Sequence, residues 1–304
     1  MNDLDAGERR FRPGALAATV DRVASAALRT GALQPIATEQ RRIDEGGVRF
    51  LVRMVSSLAR KGREQAEPAR ATAAPARPVN PFLPPDPALL VAALSPTHLC
   101  VLNKFNVIGR HLLIVTRRFE DQETLLTAAD FEALSTCMAE IDGLGFYNGG
   151  TAAGASQPHK HLQLVPLPLA DDEAGAPIEP LLTAAGRLRS VTTVPGLPFR
   201  HAFVRLDESP FDRPAAIARA YRALLAATGI EAVAAAEGMR PSRPYNLLLT
   251  RAWMLVVPRR CERFRGISVN ALGFAGSLFV ADRRQLRIIE DVGPMAVLRG
   301  VALA

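Results

Sequence analysis

Two of the five histidines of this chain stand two positions apart, at His159 and His161, and Gln163 follows at the same interval. Side chains of an extended strand alternate between its two faces, so these three side chains share one face. Lys160 and Leu162 point the other way, and Leu162 can pack on a core. The pattern predicts a strand whose histidine face borders a cleft.

Three interpretations fit this spacing of polar residues. The first is a half-exposed structural strand that carries polar residues incidentally. The second is a zinc site, since two imidazoles on one face can hold the metal, although a third ligand is needed and Gln163 is a poor one. The third is a nucleophilic histidine, because a neutral imidazole can attack phosphorus and form a phosphoramidate that a second acceptor cleaves.

The segment before the strand, residues 148–158, is rich in glycine and small polar residues. Glycines let backbone N–H groups come close to phosphate oxygens. Asn148, Ser156 and Gln163 add neutral donors that can hold a polyphosphate. The nucleophile hypothesis accounts for all of these residues together and is therefore favoured.

The composition is that of a soluble globular protein of one large domain or two lobes: 304 residues, 48% hydrophobic and 22% charged. It excludes a disordered chain, a collagen-like repeat and a coiled coil. No apolar run is long enough to span a membrane, and the first residues lack the pattern of a signal peptide. We therefore expect a cytoplasmic protein with no membrane partner.

The formal net charge of +7 favours an anionic partner. Only three of the 37 cationic residues are lysines, and the cations are scattered rather than clustered, which disfavours nucleic-acid binding. The three cysteines are far apart and form no CxxC pair, which argues against disulfides and against a cysteine-based zinc site.

Hydrophobic periodicity predicts a mixture of helices and paired strands. Helices are expected over residues 14–31, 213–228 and 294–302. A further helix should begin at Thr127, which forms a capping box with Asp130, and stop at Gly143 or Gly145. Strands are expected in 46–61, 98–105, 111–118, 246–251 and 254–259, with a last hairpin of 277–282 and 286–291. Seven prolines over residues 63–87 predict a loop. The strands come in hairpin-like pairs, so the fold class is α+β with an antiparallel sheet.

The segment GASQPHKHLQLVPLPL resembles the active-site strand of the ATP adenylyltransferases, also called diadenosine tetraphosphate phosphorylases. These enzymes form a branch of the histidine-triad-like superfamily in which HxHxQ replaces HxHxH. NPFLPPDP, residues 102–134, YNLLLTRAWMLVVPR and ISVNALGFAGSLFV are similar to other segments of the family. The resemblance covers most of residues 46–300 in the same order, and it implies a histidine-triad-like fold with helices flanking the sheet.

The predicted organisation has four parts. Residues 1–62 hold the N-terminal helix and first strand, and 63–87 form the Pro/Ala-rich loop. Residues 88–190 form the catalytic core, and 191–304 form a C-terminal lobe that completes the nucleotide site.

The resemblance implies that His161 is the nucleophile that takes AMP from the α-phosphorus. It implies that His159 orients His161, and that Gln163 contacts the phosphate near the leaving oxygen. It also implies substrate contacts at Arg53, Asn103, Lys104, Asn148, Gly154, Ala155, Ser156, Gln157, Asn270, Gly273, Phe274 and Gly276.

One position departs from the family pattern. Members often carry a lysine just beyond the GFxG strand, where this chain has Ala281. We expect Arg283 or Arg284 to substitute for that lysine in holding phosphate.

The activity implied is the reversible phosphorolysis of diadenosine 5',5'''-P1,P4-tetraphosphate to ADP and ATP through an adenylyl-histidine. The expected partners are dinucleoside polyphosphates, ATP, ADP and inorganic phosphate. The protein is expected to be a monomer without a built-in cofactor or metal, with Mg²⁺ accompanying the nucleotide. Two alternatives remain: an enzyme like hexose-1-phosphate uridylyltransferase, and a non-catalytic sensor of dinucleoside polyphosphates.

Overall fold

The computed structural model describes residues 11–55, 80–170, 174–185, 190–206, 210–236 and 238–304. Most of the predicted Pro/Ala-rich loop, residues 63–79, lies outside these ranges. None of the helices within them is both long and apolar enough to cross a membrane.

The centre of the molecule is an eight-stranded sheet in which every neighbouring pair is antiparallel. The spatial order is β3-β4-β5-β7-β6-β11-β12-β8. Its strands are β3 (Leu90–Ala93), β4 (His98–Leu102), β5 (Leu112–Thr116), β6 (Gly143–Gly149), β7 (His161–Pro166), β8 (Ala202–Arg205), β11 (Tyr245–Leu249) and β12 (Trp253–Pro258). The predicted antiparallel α+β class is confirmed.

Three helices cover one face of this sheet: α1 (Leu16–Thr30), α2 (Ala128–Glu140) and α4 (Pro214–Ala227). Each matches a predicted helix. Thr127 and Asp130 form the expected capping box at the start of α2, which ends at Glu140, before Gly143. Burial of one apolar stripe per helix against the sheet gives this side a continuous core.

The opposite face of the sheet has two separate apolar clusters. One includes Phe146 and Val165, and the other includes Leu113 and Val115. Between them, the positions that alternation assigns to this face are polar. His161 and Gln163 occupy the gap on β7, and they mark the place where a ligand can contact the sheet.

A smaller sheet lies beyond this face. It contains β1 (Thr38–Glu45), β2 (Val48–Val55) and β15 (Ser277–Val280), and β15 runs parallel to β2. The remaining elements are α3 (Glu179–Ala184), β9 (Ala232–Ala235), β10 (Gly238–Pro241), β13 (Arg263–Phe264), β14 (Ile267–Ser268), α5 (Ala271–Phe274), α6 (Arg283–Val292) and α7 (Pro294–Val301). Short 3₁₀ turns lie at Thr151–Ala153 and Pro210–Asp212.

The predicted hairpin of residues 277–282 and 286–291 is wrong, because its second half is helix α6. Asp282 caps this helix by accepting a hydrogen bond from the backbone N–H of Gln285, at 2.9 Å. Ile289 is buried at helical spacing from half-buried Leu286. The first half, β15, pairs with β2 instead.

The main sheet joins strands from before and after residue 191, since β11 pairs directly with β6. The predicted division into a catalytic core and a C-terminal lobe therefore does not correspond to two separate sheets, and it stays a prediction.

Candidate active site

His161 is the first residue of β7, and its ring is fixed from behind by the chain itself. Its Nδ1 lies 2.8 Å from the carbonyl oxygen of His159, which can only accept, so Nδ1 carries the proton. The lone pair is therefore on Nε2, which makes no hydrogen bond within the described residues. Burial lowers the pKa of His161 to about 4, so the imidazole is neutral at pH 7. A neutral ring with a free Nε2 is the form that attacks phosphorus.

His159 is fully buried rather than open to a cleft. The side-chain amide nitrogen of Asn80 lies 2.9 Å from its Nδ1, and its Nε2 donates to the Thr116 carbonyl at 2.8 Å. Its ring packs edge-on against Phe82 and Phe119. The structure thus places His159 behind His161, with its backbone carbonyl as the contact between the two.

Lys160 lies just before β7, projects to the opposite side from His161, and is also buried. Its ammonium contacts Asp130 at 3.0 Å and Glu120 at 3.1 Å. Burial by itself raises the pKa of Asp130, but the hydrogen bond from His98 and the charge of Lys160 hold that pKa down to about 2. The Asp130 carboxylate is therefore charged at pH 7, and its contact with Lys160 fixes the strand from the core side.

The first of two adjoining cavities, the histidine cavity, has a volume of about 530 Å³. His161 lies in its wall, and apolar side chains from the sheet and from the segment 80–86 make up much of the rest. These apolar side chains are Phe82, Leu83, Leu89, Val101, Leu102, Phe105 and Leu113. Apolar walls with a few polar groups are typical of a site for a flat organic ring.

The second, the C-terminal cavity, has a volume of about 450 Å³. One side of it is lined by residues of the C-terminal third, among them Arg263, Ser268, Asn270 and Gln285, and the other side by earlier residues, including His111. The two cavities share four lining residues: Asn103, Phe105, Ser156 and Gln163. A ligand that spans both cavities would therefore pass these four residues.

The loop before β7 offers unpaired donors at this junction. Among the described residues, Ser156 and Gln157 form no hydrogen bond, and both line the histidine cavity. Gly154 lines the C-terminal cavity with φ +90°, and a Cβ there would lie 2.9 Å from Asn270. Ala155 lies between them, and its N–H is bonded to Gly150. Free N–H and hydroxyl groups in a glycine-containing loop form an anion-binding surface.

Asn148 lines the C-terminal cavity, and its side-chain oxygen is occupied. That oxygen accepts from Asn246 at 2.8 Å and from the backbone N–H of Ala271 at 2.9 Å. Its amide nitrogen is left without a partner among the described residues. Asn246 in turn accepts from Arg259, so this amide is held from behind.

Arg259 is a buried guanidinium that joins the catalytic loop to the last part of the chain. It donates to the carbonyl of Ala153 at 3.2 Å and to that of Val269 at 2.8 Å. Further carbonyl acceptors are Cys261, Glu262 and Val301. Burial lowers the pKa of Arg259 to about 10, which still leaves it charged at neutral pH.

The predicted contacts Asn103 and Lys104 lie at the cavities, but in different states. Asn103 is half-buried in the wall that the two cavities share, whereas Lys104 is exposed at the histidine cavity. The Lys104 ammonium lies 5.6 Å from the centre of the Phe105 ring. Among the described residues, Lys104 is the one lysine that lines either of the two cavities.

Of the predicted C-terminal contacts, Asn270 lines the C-terminal cavity, whereas the other three line neither of the two site cavities. Gly273 and Gly276 allow close packing, since a Cβ would lie 2.7 Å from Val269 and from Pro177, respectively. Phe274 is 1% exposed and packs against Phe199. These last three positions shape the wall from behind.

Arg53 is also buried, and it lines a third cavity rather than the two described above. Its guanidinium donates to the Ser277 hydroxyl and to the Leu169 carbonyl. Burial lowers its pKa. Arg283 and Arg284 lie in the first turn of helix α6, not in a hairpin, and line neither site cavity, so their replacing the family lysine stays a prediction. Among the described residues, Arg263 is the guanidinium that lines the C-terminal cavity.

No group of three or more His, Cys, Asp or Glu side chains within the described ranges could hold a metal ion. The zinc interpretation of the histidine pair therefore has no third ligand among these residues.

Two family models together match nearly the whole chain. Residues 6–184 match the Ap4A phosphorylase N-terminal domain, and residues 195–304 match the ATP adenylyltransferase C-terminal domain. The chain belongs to the Ap4A phosphorylase family. The family predicted from the sequence is confirmed, and with it the enzyme class.

Similar proteins are known from Saccharomyces cerevisiae. Diadenosine 5',5'''-P1,P4-tetraphosphate phosphorylase 2 is 28% identical over 238 residues, which cover 70% of this chain and 72% of that protein. Protein APA1 is 29% identical over 202 residues, 59% of this chain and 60% of that protein. The crystal structure of yeast Ap4A phosphorylase Apa2 matches with a TM-score of 0.76 at 25% identity, over 94% of this chain and 97% of that one. This likeness confirms the predicted fold for this Ap4A phosphorylase family member.

Sequence reasoning missed several residues that build this site. Gln122 clamps two strands: it accepts from the His161 N–H at 2.8 Å and donates to the Asn148 carbonyl at 2.9 Å. His111 hydrogen-bonds to Gln163. The rarity of histidine was the available signal for His111, whereas nothing local marks Gln122.

Proposed function

We propose that this protein is a diadenosine tetraphosphate phosphorylase that works by double displacement at His161. The proposal rests chiefly on the neutral His161, whose free Nε2 lines a cavity beside unpaired donors. Family membership and the likeness to Apa2, which has also been solved in complex with Ap4A, support it.

In the first step, Nε2 of His161 attacks the α-phosphorus of the dinucleotide. The bond from that phosphorus to the bridging oxygen breaks, ATP leaves, and adenylyl-His161 remains. The His159 carbonyl stabilises the positive charge that develops on the ring, through its bond to Nδ1. In the second step, an oxygen of inorganic phosphate attacks the same phosphorus, the P–N bond breaks, and ADP leaves.

The two cavities suggest where the halves of the substrate bind. The apolar histidine cavity suits the adenosine of the AMP unit that is transferred, because His161 lies in its wall. The C-terminal cavity, with Arg263 and Asn270, suits the departing ATP. Ser156 and Gln163 border both cavities, where the phosphate chain would pass from one to the other.

Several finer points are part of the proposal and rest on the sequence. We expect Mg²⁺ to accompany the polyphosphate, inorganic phosphate to be the acceptor, and the protein to act as a cytoplasmic monomer. Arg53 and Lys104 are proposed as electrostatic contributors to phosphate binding.

The test is product analysis by ion-exchange chromatography after incubation with diadenosine tetraphosphate and Mg²⁺, with and without phosphate. ATP plus ADP, formed only with phosphate, is the expected result. AMP plus ATP without phosphate would identify a hydrolase instead. Saturable binding without turnover would favour a sensor, and turnover of UDP-hexose but not of the dinucleotide would favour uridylyl transfer.

A further inference from the structure

His111 is a buried histidine that lines the C-terminal cavity next to its junction with the histidine cavity, and the reaction steps above do not use it. It immediately precedes β5, and its ring lies between Asn103 and Gln163. The Asn103 amide nitrogen is 3.1 Å from His111 Nδ1, and His111 Nε2 is 2.9 Å from the Gln163 side-chain oxygen. Three polar side chains from three different parts of the chain thus form one hydrogen-bonded row.

The direction of this row is set by a backbone group. The N–H of Phe105 donates to the side-chain oxygen of Asn103, at 3.3 Å. A backbone N–H can only donate, so this contact holds the amide oxygen of Asn103 on the side of Phe105. The amide nitrogen must then face His111, where it can only donate.

The orientation of the Asn103 amide determines which nitrogen of the His111 imidazole carries the proton. Because Asn103 donates to Nδ1, that nitrogen holds the lone pair and Nε2 holds the proton. Nε2–H therefore donates to the Gln163 oxygen, and the amide nitrogen of Gln163 is left for a ligand. Within the described part of the chain, that nitrogen has no other partner.

We propose that His111 is a positioning residue that holds the Gln163 amide with its N–H donors toward the substrate phosphates. This inference rests on the proposed phosphorolysis. The bridging oxygen gains negative charge as the bond to phosphorus breaks, and an N–H donor stabilises that charge. A flipped amide would present its carbonyl oxygen to the phosphates and repel them.

The surroundings of His111 keep it in the neutral form that the row requires. Burial and, to a smaller extent, the nearby His161 lower its pKa to about 4, although the bond to Gln163 opposes this. The ring of Phe146 packs against it with centroids 5.9 Å apart. A proton on Nδ1 would oppose the Asn103 donor, so the neutral ring and the fixed amide depend on each other.

Two amide variants that differ by one methylene test the proposal. The terminal nitrogen of His111→Gln can reach the position of Nε2, whereas His111→Asn reaches only the position of Nδ1. We expect His111→Asn to lower the single-turnover rate of adenylyl-His161 formation by about 30-fold with KM changed less than about threefold. His111→Gln should stay within about fivefold of the wild type.

A double-mutant cycle separates positioning from general support of the fold. Gln163→Ala should lower the rate by about 100-fold, and His111→Asn should lower it by no more than about twofold further in that background. His201→Gln, at another buried histidine, serves as the control for loss of an imidazole and should act independently of Gln163.

Equal rates for the two amide variants, or multiplicative losses in the double variant, would overturn the role of His111. Absence of phosphorolysis by the wild type would instead overturn the proposed function. If His111→Asn does not fold, the tautomer of His111 in the wild type tests the proposal instead. We expect ¹⁵N spectra to show the proton on Nε2 of His111, and a proton on Nδ1 would refute the proposal.

Discussion

The histidine cavity and the C-terminal cavity meet at Gln163 but are built from different kinds of structure. In the first, His161 and Gln163 lie on a strand that is paired on both sides: His161 lies opposite Val115, and Gln163 lies between Leu113 and Phe146. The second is bordered by the hairpin β13–β14, whose strands are two residues each, and the Arg263 side chain there is 58% exposed.

This difference separates two tasks. Groups on paired strands have little freedom, so the nucleophile and its tautomer are fixed before substrate arrives. Side chains on a short hairpin can be substituted with smaller consequences for the fold. Substitutions on or next to the paired strands should therefore change rates, whereas those on the hairpin should change affinity.

The most severe test of this division is His161→Ala. We expect adenylyl transfer to fall by at least about 10⁴-fold, because no other neutral imidazole with a free nitrogen faces the histidine cavity among the described residues. Binding of diadenosine tetraphosphate should change less than about threefold. Radiolabelled AMP trapped on the protein and equilibrium dialysis measure the two effects; a variant with a tenth of the normal activity would refute the assignment.

The rigidity of the histidine cavity can be tested from the core side with Lys160→Met. This change leaves the Asp130 carboxylate buried without its ammonium partner, so we expect the free energy of unfolding to fall by about 3 kcal/mol. Urea denaturation measures it. The double variant Lys160→Met/Asp130→Asn removes the buried charge as well and should recover part of the loss. No recovery would show that the cost lies elsewhere.

The C-terminal cavity is tested with Arg263→Ala. We expect KM for diadenosine tetraphosphate to rise by about threefold to tenfold and kcat to stay within about twofold, since the guanidinium would hold both ground and transition states. Arg265→Ala is the matched control, because Arg265 packs on Phe264 and does not line this cavity. A kcat loss as large as that of Gln163→Ala would erase the contrast between the cavities.

The smallest effect is expected from pH. The pKa of His161 is lowered from 6.5 to about 4, so the nucleophile stays neutral as the pH falls from about 7.5 to about 5.5. The rate of adenylylation per free enzyme should change by less than about twofold over this range. By linkage, the stability due to the neutral ring is complete above pH 6.5 and is lost as the pH falls toward 4. An acid limb near pH 6.5 in kcat/KM would contradict the buried, neutral His161.

Local patterns were sufficient for elements whose signals lie within a few residues. The capping box of Thr127 and Asp130 located helix α2, and alternation placed His161 and Gln163 on one face. The prediction of a strand for LRIIED was wrong because a short apolar run fits a strand and a helix equally well. The Asp282 cap is a local contact, to Gln285 three residues on, and could have been recognised, whereas the pairing of β15 with β2 involves a distant part of the chain.

The site shows the same limit. The residues near His161 in sequence were recognised, whereas His111 and Gln122 act on β7 across 52 and 39 residues, respectively. Motif resemblance likewise could not tell a lining residue from one behind it. Asn270 and Phe274 belong to one motif, yet the first lines a cavity and the second lies in the core.

The buried Arg259 constrains how this protein can be recombined. Its guanidinium donates to the carbonyl of Ala153, in the loop before β7, and to that of Val269, which lies between the cavity-lining residues Ser268 and Asn270. The chain matches separate models on either side of residue 190, which suggests modular exchange with homologues. A chimera with the N-terminal segment of this chain and the C-terminal segment of a homologue would keep His161. It would also need an arginine in the homologue's segment that can donate to the Ala153 carbonyl, as Arg259 does here. The two segments are thus expected to coevolve as one unit, despite being separable in sequence.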